Sequence, residues 1–137
     1  MQKISNNKLI LGTVQFGLEY GINNSIGKPS FEVIKDILDL AFLNGVNILD
    51  TAEAYGDSQE ILGRYHKQSK NKFEIITKFC RTRKDLSEDI LKRVETNLKT
   101  LNVESLYCYM YHSFNDFISF YKKDSDRIKN LKQQKLI

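Results

Sequence analysis

The feature that most constrains this fold is a fourfold alternation of short apolar runs with amphipathic stretches. The runs are rich in β-branched or aromatic residues and cover residues 8–13, 46–50, 73–78 and 105–111. An amphipathic stretch follows each run, so the pattern predicts four consecutive βα units, which are typical of a parallel sheet. In the last run both alternating sets are apolar or aromatic, which predicts a strand covered on both faces.

The length of the chain limits how far this pattern can extend. A right-handed series of βα units either closes into a (β/α)8 (TIM) barrel of roughly 250 residues or forms a small open sheet. The chain has 137 residues, so it would supply only the first four units of such a barrel. We therefore expect one partial domain over residues 1–137, a half-barrel with a parallel sheet. It would be a fragment, a truncated gene product or a protein that depends on a partner.

Local signals predict where three helices begin and end. Ser30 is a candidate N-cap for the first helix, and Gly45 offers a left-handed stop. A capping box at residues 57–60 opens the second helix, and Ser87 is the candidate cap of the third. The apolar positions expected to face the core are Ile34, Ile37, Leu38 and Ala41, then Ile61, Leu62 and Tyr65, then Leu91, Val94, Leu98 and Leu101, with Leu86 as a staple to Leu91.

The rest of the chain gives weaker signals. The segment after His112 is expected to form one broken helix or two short ones with a lysine-rich exposed face. Leu136 and Ile137 resemble the start of another strand. His66 lies among several lysines, so the sequence predicts that it sits at a solvated helix end.

Composition and charge exclude several classes of protein. The chain is 41% hydrophobic and 28% charged, which is ordinary for a globular domain. Its net charge of +4 is spread over several segments, so we expect no nucleic-acid partner. No apolar run approaches the roughly 18 residues of a membrane span, and residues 1–8 lack a hydrophobic signal core. These observations predict a cytoplasmic protein that does not contact membranes.

The two cysteines do not suggest a structural cross-link. Cys80 and Cys108 form no CxxC pair and lie far apart in the sequence. We therefore expect two reduced thiols, with neither a disulfide nor a zinc site, and no other metal site. Cys80 lies near the predicted end of a strand, where we expect it to be a spectator.

Four polar side chains fall at or just after the ends of the predicted strands. Asp50 and Lys78 end the second and third runs, His112 follows the fourth, and Tyr55 lies in the loop after the second. The carboxyl ends of parallel strands meet at one edge of a sheet. We therefore expect these four side chains to converge.

Together, these side chains have the chemistry that carbonyl reduction requires. A phenol is a weak acid, and a nearby cation that favours its ionised form makes it a better proton donor, so Lys78 could activate Tyr55. A carboxylate such as Asp50 would keep the lysine charged, and the imidazole of His112 could orient a carbonyl or help to pass a proton. The set could protonate a carbonyl oxygen while hydride reaches its carbon.

None of these groups can supply hydride, so this interpretation requires a nicotinamide cofactor. The glycines after the first run, Gly12, Gly17 and Gly21, do not have the GxGxxG spacing. A Rossmann phosphate site is therefore not predicted, and the cofactor would be bound in another way.

The motifs LILGTVQFG, GVNILDTAEAYGDSQEILG, IITKF and LYCYMYHSF, in this order, resemble the amino-terminal half of the aldo-keto reductase family and cover nearly the whole chain. The resemblance implies a reductase on a TIM barrel that uses NADPH or NADH and acts on aldehydes or ketones, including sugar derivatives. It implies Tyr55 as proton donor, with Asp50, Lys78 and His112 as partners, and it places Thr13 and Asp50 near the nicotinamide. The opening motif also resembles a bacterial branch of the family.

Other interpretations stay open at this stage. The family binds the nicotinamide amide and the phosphates largely through loops after later strands, which this sequence does not contain. The chain could therefore be a non-catalytic half-barrel that self-associates or pairs with a partner through an open sheet edge. A barrel aldolase with Lys78 as a Schiff-base amine and Asp50 as proton shuttle is a further alternative, but the order of the motifs argues against it.

Overall fold

The sheet has four short parallel strands in chain order. The computed structural model describes residues 8–82 and 87–137. Its strands are β1 (Leu11–Gly12), β2 (Ile48–Asp50), β3 (Glu74–Phe79) and β4 (Cys108–Tyr111), hydrogen-bonded in the order β1-β2-β3-β4 and parallel throughout. Its helices are α1 (Val14–Gly17), α2 (Phe31–Leu43), α3 (Ser58–Gln68), α4 (Ile90–Leu101) and α5 (Phe114–Gln133). The predicted half of an α/β barrel is confirmed.

The first strand is much shorter than the apolar run that predicted it. Residues 8–13 were expected to be extended, but only Leu11 and Gly12 pair with β2. Leu9 and Ile10 are 66% and 49% exposed. Ile48, which stands opposite Ile10 in this register, is paired with Glu74 of β3 but not with β1.

The two faces of the sheet have different surroundings. Leu49 and Ile75 face the helices and are fully buried in one core. Side chains alternate along a strand, so Ile76 and its register partner Cys108 lie on the opposite face, where both are half-buried. Met110 shares that face and is 39% exposed. The prediction that both faces of β4 are covered is therefore wrong, because the described helices pack on one face only.

The core lies between the sheet and the helices. It confirms most of the apolar positions predicted from helical spacing, although Ile37 points outward and is 37% exposed. The buried members of the core are Phe16, Ile34, Leu38, Leu49, Leu62, Tyr65, Phe73, Ile75, Val94, Leu101, Leu106 and Leu131. Burial of these side chains holds the four βα units together.

The limits of α2 agree with its sequence signals. The Ser30 hydroxyl accepts a hydrogen bond from the backbone N–H of Val33, as an N-cap does. The helix ends at Leu43, and Gly45 follows with a φ of +80°, a conformation that glycine adopts without steric cost. Both predictions for this helix are confirmed.

The caps of α3 and α4 differ from the predictions. Asp57 precedes α3, but its carboxylate pairs with Lys28 and makes no capping hydrogen bond. The N-cap of α4 is Asp89, whose side chain accepts from the N–H of Leu91, so the choice of Ser87 was wrong. The predicted staple residue Leu86 lies outside the described residues. At α3 the ion pair with Lys28 draws the Asp57 carboxylate away from the helix end, and at α4 Asp89 takes the role expected of Ser87.

The last helix is continuous, so the prediction of a broken helix or two short ones is wrong. It spans 20 residues, and its inward side includes Asp116 and Asp124 as well as Phe120 and Leu131. These buried acids interrupt the apolar periodicity, which explains why the sequence suggested a break. Burial raises the pKa of the Asp124 carboxyl above its usual value.

The end of the chain does not form the predicted strand. No strand is assigned at Leu136 or Ile137, although the Leu136 carbonyl accepts a hydrogen bond from the N–H of Leu106, at 2.9 Å. None of the helices in the described ranges is long and apolar enough to cross a membrane.

His66 is buried, which contradicts the prediction of a solvated helix end. Its Nδ1 donates to the Leu101 carbonyl at 2.8 Å, and its Nε2 accepts from the N–H of Phe73 at 3.4 Å. The ring therefore joins the last turn of α3 to α4 and to the start of β3. Burial lowers the pKa of this imidazole, and the nearby Lys72 ammonium lowers it further.

Candidate active site

Asp50 and Lys78 meet at the carboxyl ends of two adjacent strands. They occupy the last residue of β2 and the fifth residue of β3, and both lie on the sheet face that the helices leave open. The Lys78 ammonium contacts the Asp50 carboxylate and donates to the Thr51 carbonyl at 2.9 Å. The Lys78 side chain is 14% exposed and that of Asp50 36%, so the ion pair is reachable from solvent on the Asp50 side.

Tyr55 lies above this ion pair in the loop between β2 and α3. Its hydroxyl is 3.4 Å from the Lys78 Nζ, and that nitrogen is 5.0 Å from the centre of the phenol ring. Close backbone packing holds the loop in place. A Cβ on Gly17 would lie 1.8 Å from the Tyr55 carbonyl oxygen, and Gly56 has a φ of +58°. Both positions therefore require glycine.

His112 follows β4 and completes the group. Its ring centre is 6.0 Å from that of Tyr55, with the ring planes nearly perpendicular at 80°. Its backbone N–H donates to the Phe79 carbonyl at 2.8 Å, which continues the pairing between β3 and β4. All four residues predicted to converge thus lie at one edge of the sheet.

Thr13 is next to this edge but is fully buried. Its hydroxyl donates to the Asp50 carbonyl at 3.1 Å and accepts from the Ser58 hydroxyl at 2.9 Å. The Ser58 oxygen is also 3.3 Å from the Thr51 hydroxyl. Thr13 therefore ties the end of β1 to β2 and to the first turn of α3. Its contact with a nicotinamide stays a prediction.

Sequence reasoning missed a buried polar cluster behind the four residues. Glu53 lies three positions after Asp50, and its carboxylate accepts from Asn97 and from the Tyr109 hydroxyl, each at 2.8 Å. Arg93 pairs with the same carboxylate at 3.2 Å. The available signal was that α4 has Arg93 and Asn97 on the same side as its apolar stripe. Burial, followed by the charge of Glu53, raises the pKa of Tyr109 well above its ordinary value.

Cys80 and Cys108 are both free cysteines. Cys80 is buried, and its sulfur lies 3.0 Å from the Thr82 hydroxyl. A cleft of about 1030 Å³ opens at the other end of the sheet, beside Phe73, Leu106 and Tyr107. Because these residues precede β3 and β4, the cleft lies away from the strand ends, and we do not assign the chemistry to it.

The sequence pattern of the aldo/keto reductase family matches residues 8–134. The match covers most of the chain, and the site has the acid, phenol, amine and imidazole described above. The chain therefore belongs to the aldo/keto reductase family, a family of oxidoreductases that generally use NADPH or NADH. None of the curated proteins is significantly similar in sequence to this chain.

Solved structures of the same family share the fold. One protein of Pseudomonas aeruginosa assigned to the aldo-keto reductases is 26% identical with a TM-score of 0.75, and the match covers 99% of this chain and 57% of that one. Another structure of such a protein from P. aeruginosa is 30% identical with a TM-score of 0.71, over 93% and 51% of the two chains. A glycerol dehydrogenase from Gluconobacter oxydans is 25% identical with a TM-score of 0.53, over 79% and 38%. The present chain thus spans about half the length of the two P. aeruginosa proteins and 38% of the glycerol dehydrogenase.

Proposed function

We propose that this chain carries the proton-transfer half of a reductase that uses NADPH or NADH to reduce an aldehyde or ketone, including sugar derivatives. Tyr55 would donate the proton. One observation carries the proposal: the Lys78 ammonium contacts the Asp50 carboxylate and also lies 3.4 Å from the Tyr55 hydroxyl. Membership of an oxidoreductase family supports the same chemistry.

The contacts suggest a role for each side chain. The Lys78 ammonium favours the ionised phenol, so Tyr55 can release its proton as negative charge develops on the carbonyl oxygen. Asp50 keeps the lysine charged and holds it against the strand end. The His112 imidazole, edge-on to the Tyr55 ring, would donate a hydrogen bond to the carbonyl or help to return a proton to the phenol.

The open side of the strand ends is compatible with the reacting end of a nicotinamide. A Cβ built on Gly12 would meet nothing within 4 Å, so the end of β1 leaves space beside the half-exposed Asp50. Bound there, a reduced nicotinamide would supply the hydride. Asp50 and the adjacent Thr13 are the residues of this chain that we assign to that end of the cofactor.

A non-catalytic role is the second candidate. The observation that favours it is the sheet face carrying Ile76, Cys108 and Met110, which the described residues leave partly exposed. Such a face and its open edges favour self-association or pairing with a complementary half. In this role the four polar residues would be inherited from a catalytic relative.

The test is a titration of the purified 137-residue chain with NADPH and with NADH, followed by fluorescence, while light scattering records its assembly state. We expect saturable binding, and we expect Tyr55→Phe to abolish carbonyl reduction without weakening that binding. Tyr107→Phe is the matched control, because Tyr107 is exposed and precedes β4. Absence of binding by well-folded protein would favour the non-catalytic role.

A borohydride experiment separates the reductase from the aldolase. A Schiff base between Lys78 and a carbonyl substrate would be trapped as a stable adduct, whose mass would locate it on this lysine. For a reductase we expect no adduct. A trapped adduct on Lys78 would contradict the proposal.

A further inference from the structure

We propose that Glu53 is a positioning residue that holds the Tyr55 loop against the end of β3, and this inference rests on the function proposed above. Glu53 stands between Asp50 and Tyr55 in the sequence. Its side chain is fully buried, at 0% exposure, so it does not reach the open side of the site. It would act through the backbone segment that carries Lys78.

Glu53 holds this segment at two points. Its backbone N–H donates to the Lys78 carbonyl at 3.3 Å. Its carboxylate Oε2 accepts from the backbone N–H of Cys80 at 2.9 Å. The two bonds bracket Phe79 and fix the direction in which β3 leaves the sheet. The direction of the Lys78 side chain is set at the same place.

Side chains of α4 and β4 also bind the Glu53 carboxylate. Its Oε1 accepts from Asn97 and from the Tyr109 hydroxyl, each at 2.8 Å. Arg93 pairs with its Oε2 at 3.2 Å. Glu53 is therefore held from both sides and cannot shift without breaking several charge-assisted hydrogen bonds.

Arg93 strengthens the hold on the same segment. A second guanidinium nitrogen is 3.4 Å from the Cys80 carbonyl, and the guanidinium carbon lies 4.6 Å from the centre of the Phe79 ring. The Phe79 carbonyl accepts from the N–H of His112 at 2.8 Å. Residues 78–80 thus connect three parts of the site: the Tyr55 loop, Lys78 and His112.

Burying an ion pair of this kind costs free energy, because both charges lose their hydration. Well-packed apolar side chains of similar volume often stabilise a protein as well or better, because they avoid the desolvation of two charges. Directional hydrogen bonds provide what apolar packing does not, namely a fixed geometry between two backbone segments. A small displacement of reacting groups is sufficient to slow an enzyme.

The test uses Glu53→Gln in the 137-residue chain. The amide keeps the size of the side chain but loses its charge, and it has one acceptor oxygen instead of two. Its NH2 group must therefore face either the Cys80 N–H and Arg93 or the Asn97 and Tyr109 donors, and it cannot accept from them. The NMR readout is the NOE between the Lys78 ε-protons and the Tyr55 ring, assigned with Lys78→Met and Tyr55→Phe. We expect the wild-type chain to show this cross-peak and Glu53→Gln to lose it.

Tyr65→Phe is the matched control. It also removes a hydrogen bond from a buried side chain, the one from the Tyr65 hydroxyl to Asp39 at 2.7 Å, but at a place remote from the strand ends. We expect this variant to keep the Lys78–Tyr55 cross-peak. A folded Glu53→Gln chain that also keeps it would overturn the proposal.

If Glu53→Gln does not fold, two less disruptive variants test the positioning role of Glu53. Asn97→Ala and Tyr109→Phe each remove one donor to the carboxylate and leave the Arg93 pair in place. We expect both to move the Lys78 and Tyr55 signals in the same direction and to weaken the cross-peak. Unchanged signals in both variants would contradict the positioning role.

Kinetics separate this proposal from the proposed function. The NMR measurement needs neither cofactor nor turnover, so it tests the positioning role of Glu53 even if the chain has no reductase activity. If the chain is active, we expect Glu53→Gln to lower kcat about 10- to 100-fold while the KM for the carbonyl compound changes little. Glu53→Asp, which keeps the charge, should recover part of that loss. An active Glu53→Gln enzyme with only KM altered would contradict positioning.

Discussion

At the scale of single residues, Lys78 is the centre of the site. Its ammonium touches the Asp50 carboxylate, the Thr51 carbonyl and the Tyr55 hydroxyl, so one side chain joins the ends of two strands to the loop between β2 and α3. No other cation among the described residues makes this set of contacts. The proposed proton donation by Tyr55 therefore depends on one amine.

Replacement of Lys78 by methionine removes the cation but keeps most of the side-chain volume. We expect the rate of carbonyl reduction to fall at least about 100-fold, because general-acid catalysis by a positioned group contributes 10²- to 10⁴-fold. Lys70→Met, at an exposed position after α3, is the control for loss of a positive charge. Steady-state kinetics of both variants make the comparison. Equal rates would show that Lys78 does not assist proton transfer.

The lowered pKa of His66 predicts how the stability of the folded chain depends on pH. Its pKa is lowered in the folded chain, mainly by burial, whereas an unfolded histidine titrates near pH 6.5. Below about pH 6.5 the unfolded state therefore binds more protons at this residue. The stability that the buried, neutral His66 contributes is therefore fully present above about pH 6.5. It is lost as the pH falls towards the lowered pKa of the folded state.

Urea unfolding at pH 8, 6.5 and 5 measures this effect. We expect the wild-type chain to lose more stability between pH 8 and pH 5 than His66→Gln, which cannot titrate. The two Nδ1 and Nε2 hydrogen bonds are also altered in the variant, so its absolute stability is lower at every pH. Parallel pH profiles would mean that the pKa of His66 is the same in the folded and the unfolded chain, which would contradict the lowered pKa of the folded state.

At the scale of elements, α3 and α4 pack unusually closely at one glycine. A Cβ on Gly63 of α3 would lie 1.8 Å from the Thr100 carbonyl oxygen of α4. The contact is backbone against backbone, so no side-chain rotation can relieve it. Since α4 also carries Arg93 and Asn97, this approach helps to bring those two side chains within reach of Glu53 in the β2–α3 loop.

The substitution Gly63→Ala has two opposing effects on stability, a higher helix propensity and a steric clash with the Thr100 carbonyl. Alanine favours a helix by up to about 1 kcal/mol over glycine, whereas overpacking of a core costs about 1–3 kcal/mol. We expect a net loss of stability, measured by thermal or urea unfolding. Gly12→Ala is the same substitution in open space and should change stability little. A stabilised Gly63→Ala chain would show that the two helices can separate at small cost.

At the scale of the whole molecule, the sheet is covered on one side. Helices bury Leu49 and Ile75, while Ile76, Cys108 and Met110 line the opposite face and stay half-exposed or exposed. The relatives described above are about twice as long as this chain. The half-barrel therefore presents a partly apolar face and two sheet edges, and apolar patches of this kind promote association.

We expect the isolated chain to self-associate reversibly through this face. Sedimentation velocity over a range of protein concentrations measures the association, and Met110→Lys should weaken it by placing a charge on the face. Ile26→Lys is the control, because Ile26 is 92% exposed in the segment between α1 and α2. A wild-type chain that stays monomeric at high concentration would contradict the expectation.

Much of this protein could be predicted from its sequence alone. The four apolar runs gave the order of strands, and helical spacing identified Ile34, Leu38, Val94 and Leu101 as core positions. The convergence of Asp50, Tyr55, Lys78 and His112 followed from one rule, that parallel strands end at the same edge. These features depend on local periodicity and on chain direction, which the sequence contains explicitly.

Tertiary structure decided the features that depend on partners distant in the sequence. His66 became a buried link because Leu101 and Phe73 offer it hydrogen bonds, and Glu53 became the centre of a cluster because α4 brings Arg93 to it. From the sequence alone, a charged or polar residue is expected to be exposed to solvent, because a partner that is distant in the sequence cannot be recognised. Which face of the sheet is covered was likewise settled by packing, because the periodicity of β4 looks apolar on both sides.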